Sequence, residues 1–243
     1  MLEVKWREEN KIQKTKIDWA DYTINPVKGL CPMACSYCYA RRMYKRFHWN
    51  PEIRLQPYWW NDLAELKPSR IFVGSTIELF GNWVKPEWLT QILRMCKAHK
   101  KHTFIFLTKQ PWELIKSSPF SDNCWVGVSA DTMVAYQAAR NILPDIQARV
   151  RFISFEPLLE RVIMTDTAYV TPLSKHFCDW VIIGAQTPYS PKTAPQKEWV
   201  DEIIDTCDEM GIPVFLKNNL RPVLKSVYGD NPPMRQEYPV VKL

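Results

Sequence analysis

At 243 residues with 46% hydrophobic content, the chain can bury one large core, and a single domain is expected. Its seven cysteines are an odd number, and three of them fall within eight residues, which is not the even disulfide framework of a small secreted protein. A net charge of +6 favours an anionic partner such as nucleic acid or a phosphorylated substrate, without naming it. No apolar segment follows Met1, and runs such as Trp180 to Ile183 are far too short to span a bilayer. Neither a signal peptide nor a membrane partner is expected, and the cytoplasm is the expected compartment.

Residues 1–17 form a charged segment, read as a surface arm because Lys5 to Lys16 has little apolar periodicity. Asp18 to Val27 reads as a lead-in and first strand, which Lys28-Gly29 turns into Cys31-Pro32-Met33-Ala34-Cys35-Ser36-Tyr37-Cys38. Thiolates spaced by three and two residues can fold around one small centre, and cysteine sulfur is the preferred ligand of zinc and of iron-sulfur clusters. The count of three is the informative part. Structural centres close their shell with four protein ligands, whereas catalysis at a metal needs an open position. The first histidine after the loop, His48, lies ten residues past Cys38, beyond the spacing of a zinc knuckle. The loop therefore reads as the site of a four-iron four-sulfur cluster held by Cys31, Cys35 and Cys38, with one iron free.

A helix is expected over 36–47, with Arg41, Arg42, Lys45 and Arg46 along one side. They could form a phosphate-binding face, but charged runs usually form a solvated surface, and that is the reading adopted.

Short β-rich runs follow at Ile71–Val73, Phe104–Leu107, Trp125–Val128, Phe152-Ile153, Trp180–Ile183 and Val214–Leu216. Helical stripes lie between several of them, with Leu89, Ile92, Leu93 and Cys96 on one and Val200, Ile203, Ile204 and Cys207 on another. Cys96, Cys207, Cys124 and Cys178 read as small buried hydrophobes. The span from Leu158 to Asp179 reads as an irregular insertion, and residues 221–243 as a tail on a domain of residues 18–220. Alternating strands and helices imply a parallel α/β sheet in a partial or complete (β/α) barrel.

Active sites of such folds gather at the C-terminal ends of the strands, and here those ends are polar. Val73 leads to Gly74-Ser75-Thr76 and Glu78, Leu107 to Thr108-Lys109, and Val128 to Ser129 and Asp131. Ile153 leads to Ser154 and Glu156, Ile183 to Gly184-Ala185-Gln186, and Leu216 to Lys217-Asn218-Asn219. Turn chemistry accounts for about half of these positions, but less well for Lys109, Glu156 and Lys217. Lys109, Gln186, Lys217 and Asn218 are the candidate substrate contacts.

The cysteine spacing, with Tyr37 before the last cysteine and Tyr39-Ala40 after it, resembles the signature loop of the radical SAM enzymes. The resemblance implies that the free iron is chelated by S-adenosylmethionine, which is cleaved by one electron to release a 5'-deoxyadenosyl radical. An external electron donor of flavodoxin or ferredoxin type is implied as a partner. The segment after Val73 resembles the methionine-binding turn, where Gly74 permits close approach and Ser75 and Thr76 flank it. Tyr37, Glu78, Ser129, Ser154 and Glu156 complete the implied cofactor-binding set.

More narrowly, the chain is similar to a phage-associated, largely uncharacterised branch of radical-SAM-like proteins. The matching pieces are Thr15 to Asp21, Asn25 to Gly29, Leu107-Thr108-Lys109, Ser154 to Leu159 and Val181 to Gly184. It departs from that branch in its shorter first cysteine gap, the one usual in the wider superfamily. It also has Gly184-Ala185-Gln186-Thr187 where many members have Gly-Gly-Glu-Ser, so no role of that glutamate transfers to neutral Gln186.

Eleven tryptophans and ten tyrosines in a basic chain could stack nucleobases, with Trp59-Trp60, Trp83 and Trp88 as candidates, although core packing is the usual fate of aromatics. A nucleic acid or nucleotide is therefore the candidate substrate, in modification or repair. The alternative class is a non-catalytic protein in which zinc or a cluster staples a nucleic-acid-binding module, or in which a cluster completed by a distant cysteine such as Cys124 only transfers electrons.

Overall fold

The computed structural model describes residues 12–56, 59–164 and 177–240. The chain first forms β1 (Gln13–Lys14), β2 (Tyr22–Ile24), β3 (Val27–Lys28), α1 (Tyr39–Phe47) and β4 (Arg54–Leu55). Then come β5 (Arg70–Val73), α2 (Pro86–Ala98), β6 (Thr103–Thr108), β7 (Cys124–Ser129), α3 (Met133–Ile142) and β8 (Val150–Phe155). The order ends with β9 (Trp180–Ile183), α4 (Lys197–Met210), β10 (Val214–Leu216) and α5 (Arg221–Tyr228). Each apolar run of the sequence lies within a strand, β5 to β10. Residues 1–11, most of the expected arm, and 165–176, most of the expected insertion, lie outside the described residues, as do 241–243 of the tail.

The structure refines three expectations at the start of the chain. Part of the arm is strand, since Gln13 and Lys14 pair antiparallel with Thr23 and Tyr22. The expected lead-in and first strand over 18–27 hold the strand β2 and the start of β3, because Pro26 has no N–H to continue the ladder and β3 leaves to pair with β4 in a separate ribbon. The helix starts at Tyr39 rather than Ser36, because Cys38 serves as its N-cap.

The main sheet has the order β1-β2-β5-β6-β7-β8-β9-β10, parallel throughout except for β1. Alternate residues face two separate cores. Ile71, Phe104, Phe106, Val126, Ile153 and Val181 pack outward with Ile92, Cys96, Val200, Ile203 and Cys207 of the helices. Phe72, Ile105, Trp125, Phe152, Trp180, Ile182 and Phe215 pack inward around Trp19. This inner core shows that the sheet is curled. In a flat sheet β5 and β9 would stand about 19 Å apart, yet the Trp19 ring lies 4.8 Å from Phe72 on β5 and 6.5 Å from Trp180 on β9. Among the described residues the sheet is nevertheless open, since its edge strands β1 and β10 do not pair.

Side chains fill the gap. Trp19 is buried between the two ends of the sheet. The expected surface tail begins as α5 and then lies along β10, where Leu216 N–H donates to Arg235 and Glu237 N–H to Val214. Tyr238 packs its ring 5.4 Å from Trp180 and 5.4 Å from Phe215. The Arg70 guanidinium of β5 sits 4.0 Å over the same ring, so the tail reaches across from β10 to β5. Among the described residues no helix is long and apolar enough to cross a membrane.

Candidate active site

Strand parity assembles the site. The register pairs Phe72 with Ile105, Leu107 with Gly127, Ser129 with Ser154, and Ile182 with Phe215, all on the inner face. Two residues beyond the inward positions of successive strands lie Gly74, Lys109, Asp131, Glu156, Gly184 and Lys217. A period of two thus brings the polar exits to the C-terminal mouth of the curled sheet.

The cysteine loop lies across this mouth, fastened by side chains on three sides. The Tyr37 phenol donates to the Asp131 carboxylate after β7. The Tyr39 hydroxyl donates to the Ser75 carbonyl after β5 at 2.7 Å, and the Arg42 guanidinium to the Thr187 carbonyl after β9 at 2.5 Å. Arg41 closes the loop on itself through the Cys31 carbonyl at 2.6 Å, and the Cys38 sulfur accepts from the Arg41 N–H at 3.4 Å. All three cysteines are half-buried free thiols. Among the described residues no three His, Cys, Asp or Glu side chains converge closely enough to enclose a single metal ion.

Below the loop, Lys109 Nζ donates to the same Asp131 oxygen at 3.1 Å and sits 5.3 Å from the Tyr37 ring. Burial alone would raise the Asp131 carboxyl, but Lys109 and the Tyr37 hydroxyl outweigh it and hold it below the ordinary carboxylate range. Burial and the adjacent Asp131 push the Tyr37 phenol up, so it remains a donor. Burial also pushes the Cys31 and Cys35 thiols up, with Lys109 opposing at Cys35.

The Gly74-Ser75-Thr76 turn is held by Asn25, whose side-chain oxygen accepts from Ser75 Oγ, Thr76 N–H and Thr76 Oγ1 at 3.1 to 3.2 Å. Gly74 takes φ +83°, and a Cβ there would meet the Leu79 side chain at 2.4 Å, so only glycine suits the position. Glu78 is 8% exposed and engaged by the protein. Its carboxylate accepts from Phe80 N–H at 3.0 Å, Thr108 Oγ1 at 2.8 Å and Lys109 N–H at 2.8 Å. Burial pushes its pKa up against these bonds. It locks the loops after β5 and β6 together.

On the other side of the mouth, Lys217 pairs with Glu156, whose second oxygen lies 3.5 Å from the Trp19 indole nitrogen. Gly184 makes room for this pair, since a Cβ there would come within 2.9 Å of the Lys217 side chain. Ser129 and Ser154 face each other in register beneath it, both buried. Ser154 Oγ is buried with no hydrogen-bond partner among the described residues. Gln186 is half-buried at the rim, and Asn218 is exposed with its backbone N–H donating to Asp18 at 2.7 Å.

The model of a family described as "Protein of unknown function (DUF5131)" matches residues 14–222, most of the chain. The chain belongs to that family. No curated protein matches the sequence of this DUF5131 protein. Its fold is similar to spore photoproduct lyase complexed with dinucleoside spore photoproduct, at 14% identity and a TM-score of 0.54, covering 87% of this chain and 81% of that one. A mutant of the same lyase matches at 13% identity and a TM-score of 0.53, covering 85% and 78%. Another mutant, with bound AdoMet and dinucleoside spore photoproduct, matches at 14% identity and a TM-score of 0.48, and this chain spans 66% of that chain's length. At these identities the likeness is one of fold.

Of the residues the sequence singles out in this DUF5131 protein, the structure brings Tyr37, Lys109, Glu156 and Lys217 to one mouth with the three cysteines. It leaves Asn218 on the rim and turns Glu78 toward the outer layer with Thr108. Cys124 stands at the opposite, N-terminal end of β7 and is 1% exposed, so it is not at the mouth. The four aromatics offered for base stacking are packed: Trp59 is buried, and Trp60, Trp83 and Trp88 lie against the outer core. Sequence reasoning gave no site role to Asn25 or to Asn219, the latter pinning both backbone groups of Ala185 at 3.0 and 2.6 Å. The signal for Asn25 was available, since it ends β2 one place past Ile24 as the other polar exits end their strands.

Proposed function

We propose that this protein is a radical SAM enzyme acting on a nucleic acid or nucleotide, in modification or repair. The observation that carries the reading is the seating of the three-cysteine loop across the strand mouth, tied by Tyr37, Tyr39 and Arg42 to the loops after β7, β5 and β9. In this reading Cys31, Cys35 and Cys38 would hold a four-iron four-sulfur cluster. When bound, S-adenosylmethionine, given one electron through the cluster from an external flavodoxin- or ferredoxin-type donor, would supply methionine as leaving group and a carbon radical able to abstract hydrogen.

The residues present fit such a pair. The thiols are three soft donors on one short loop, raised while metal-free but deprotonated on coordination. Ser154 Oγ is a buried hydroxyl in want of a partner, suited to a polar group of the bound cofactor. In this reading the Gly74-Ser75-Thr76 turn receives the cofactor's amino group, and Tyr37, Ser129, Ser154 and Glu156 line the rest of its site. Lys109, Gln186, Lys217 and Asn218 face the substrate side. Glu78 enters as the anchor of Lys109 rather than as a ligand. The phage-associated branch rests on the sequence pieces alone.

Support for a nucleic acid comes from the net charge of +6 and from the fold shared with a lyase seen with a dinucleoside photoproduct. The electron-transfer alternative needs a fourth ligand, and Cys124 at the far end of β7 is badly placed to supply it. The test is anaerobic incubation of the reconstituted protein with S-adenosylmethionine, a strong reductant and deuterated DNA or RNA. Deuterium recovered in 5'-deoxyadenosine is expected. 5'-Deoxyadenosine that stays unlabelled with every nucleic acid would leave the radical chemistry and remove the substrate.

A further inference from the structure

Residues 25–56, the excursion between β2 and the main run of strands, carry an unusual share of the charge. They hold six Lys and Arg against the single carboxylate of Glu52, which amounts to five of the chain's six net positive charges. The remaining residues are nearly balanced. This segment carries the cysteine loop at one end of α1 and an exposed turn at the other.

The structure divides the four basic residues of α1 by task. Arg41 and Arg42 are spent on backbone carbonyls at the mouth. Lys45 and Arg46, in the last turn, are exposed. Directly after them Phe47 and Trp49 are 51% and 41% exposed, with rings stacked at 5.7 Å and 24°.

This pair is built rather than incidental. His48 takes a left-handed conformation, φ 50° and ψ 42°, between the two stacked rings. The buried Tyr44 supports Trp49 edge-on at 5.3 Å, and its hydroxyl accepts from Gly29 N–H at 2.8 Å. The Arg46 guanidinium lies 5.3 Å over Phe47. Two large apolar rings held in water beside the exposed Lys45 and Arg46 match the needs of a polyanion with exposed π-faces. A duplex hides those faces, and an acidic peptide does not repeat one at every charge as a single strand does.

We propose that the outer end of this cap grips single-stranded nucleic acid, with Lys45 and Arg46 on phosphates and the Phe47 and Trp49 rings stacking bases. The inference rests on the nucleic-acid reading above and adds the surface that captures the strand. Phe47 lies eight residues along α1 from Tyr39, about 12 Å at the helical rise, so a strand held there is within reach of the mouth.

The test is fluorescence anisotropy of the full chain with a labelled oligothymidylate of about 12 nucleotides, within the size range of such sites, across a salt series. K45Q/R46Q should weaken binding and lower the slope of log Kd against log salt by about 1.4, as two single-strand phosphate contacts require. W49A should raise Kd about tenfold, as the loss of one stacked base requires. K97Q/K100Q, in the last turn of α2 and just beyond it, should leave both unchanged, and matching thermal unfolding profiles would exclude misfolding. Wild-type binding that the cap variants leave intact overturns this surface but not the nucleic-acid reading. No salt-sensitive binding by the wild type overturns both, and duplex DNA competing as well as the single strand overturns the single-strand assignment.

Discussion

The Tyr37 hydroxyl is hydrogen-bonded to the Asp131 carboxylate, joining the cysteine loop to the end of β7 across 94 residues of sequence. Asp131 also receives Lys109 at 3.1 Å, so the phenol, carboxylate and ammonium form one chain of contacts under the loop. Y37F should cost about 2 kcal/mol of stability, the worth of a partly buried bond to a charged acceptor. It should also reduce the iron retained after reconstitution. Urea denaturation and iron analysis check the two effects, and a variant matching wild type in both would show that the loop is not held from Asp131.

The Glu156 and Lys217 pair is the most buried ion pair at the mouth, with side chains 23% and 9% exposed. Removing one partner strands a charge in a low-dielectric site. K217M should therefore destabilise by about 3 kcal/mol. The double variant K217M/E156Q should cost less than the two single changes added together, because each single change leaves the other group unpaired. Strict additivity in a double-mutant cycle would show that the two groups are not coupled.

Glu78 offers both carboxylate oxygens to donors, two of them backbone N–H groups. E78Q keeps the shape but turns an amide donor toward one of those donors. A loss of about 1 to 3 kcal/mol is expected from the unsatisfied pair. Lys109 should lose its fixed backbone, which reduced oligonucleotide-dependent turnover would report. Unchanged stability would place the carboxylate outside this lock.

Acid sensitivity should arise partly from the tail. Glu237 accepts from Arg235 and from Val214 N–H, and the Arg235 guanidinium holds its carboxyl below the usual value of 4.5. A carboxyl depressed on folding contributes stability that is present above pH 4.5 and is lost as pH falls through the lower folded value. The wild type should therefore lose stability over that acid window more steeply than E237Q. Equal slopes in chemical denaturation at pH 5 and below would remove the tail as the cause.

Much of this arrangement was legible in the sequence because it follows from local periodicity. The six apolar runs mark β5 to β10, and a period of two carries Lys109, Glu156 and Lys217 to the inner face of the mouth. The buried fate of Cys96 and Cys207 follows from their helical stripes. Contacts distant in sequence carry no such period. Trp19 meets Glu156 across 137 residues, and Arg70 meets Tyr238 from the other end of the chain. Neither closure could be read from a run of residues. Composition also misdirected the choice of aromatics, because a count of tryptophans does not say which are buried. Trp59 is 3% exposed, whereas Trp49, beside a left-handed turn that the sequence does not announce, is 41% exposed.

The central claim is that the three-cysteine loop at the mouth is the seat of cofactor cleavage. Its most direct test is 5'-deoxyadenosine formation by the anaerobically reconstituted protein with S-adenosylmethionine and a strong reductant, in wild type, C35A and C124A. The account predicts product from wild type and C124A and none from C35A. No product from a wild-type protein that holds its full complement of iron and sulfide, or loss of product in C124A, would contradict it.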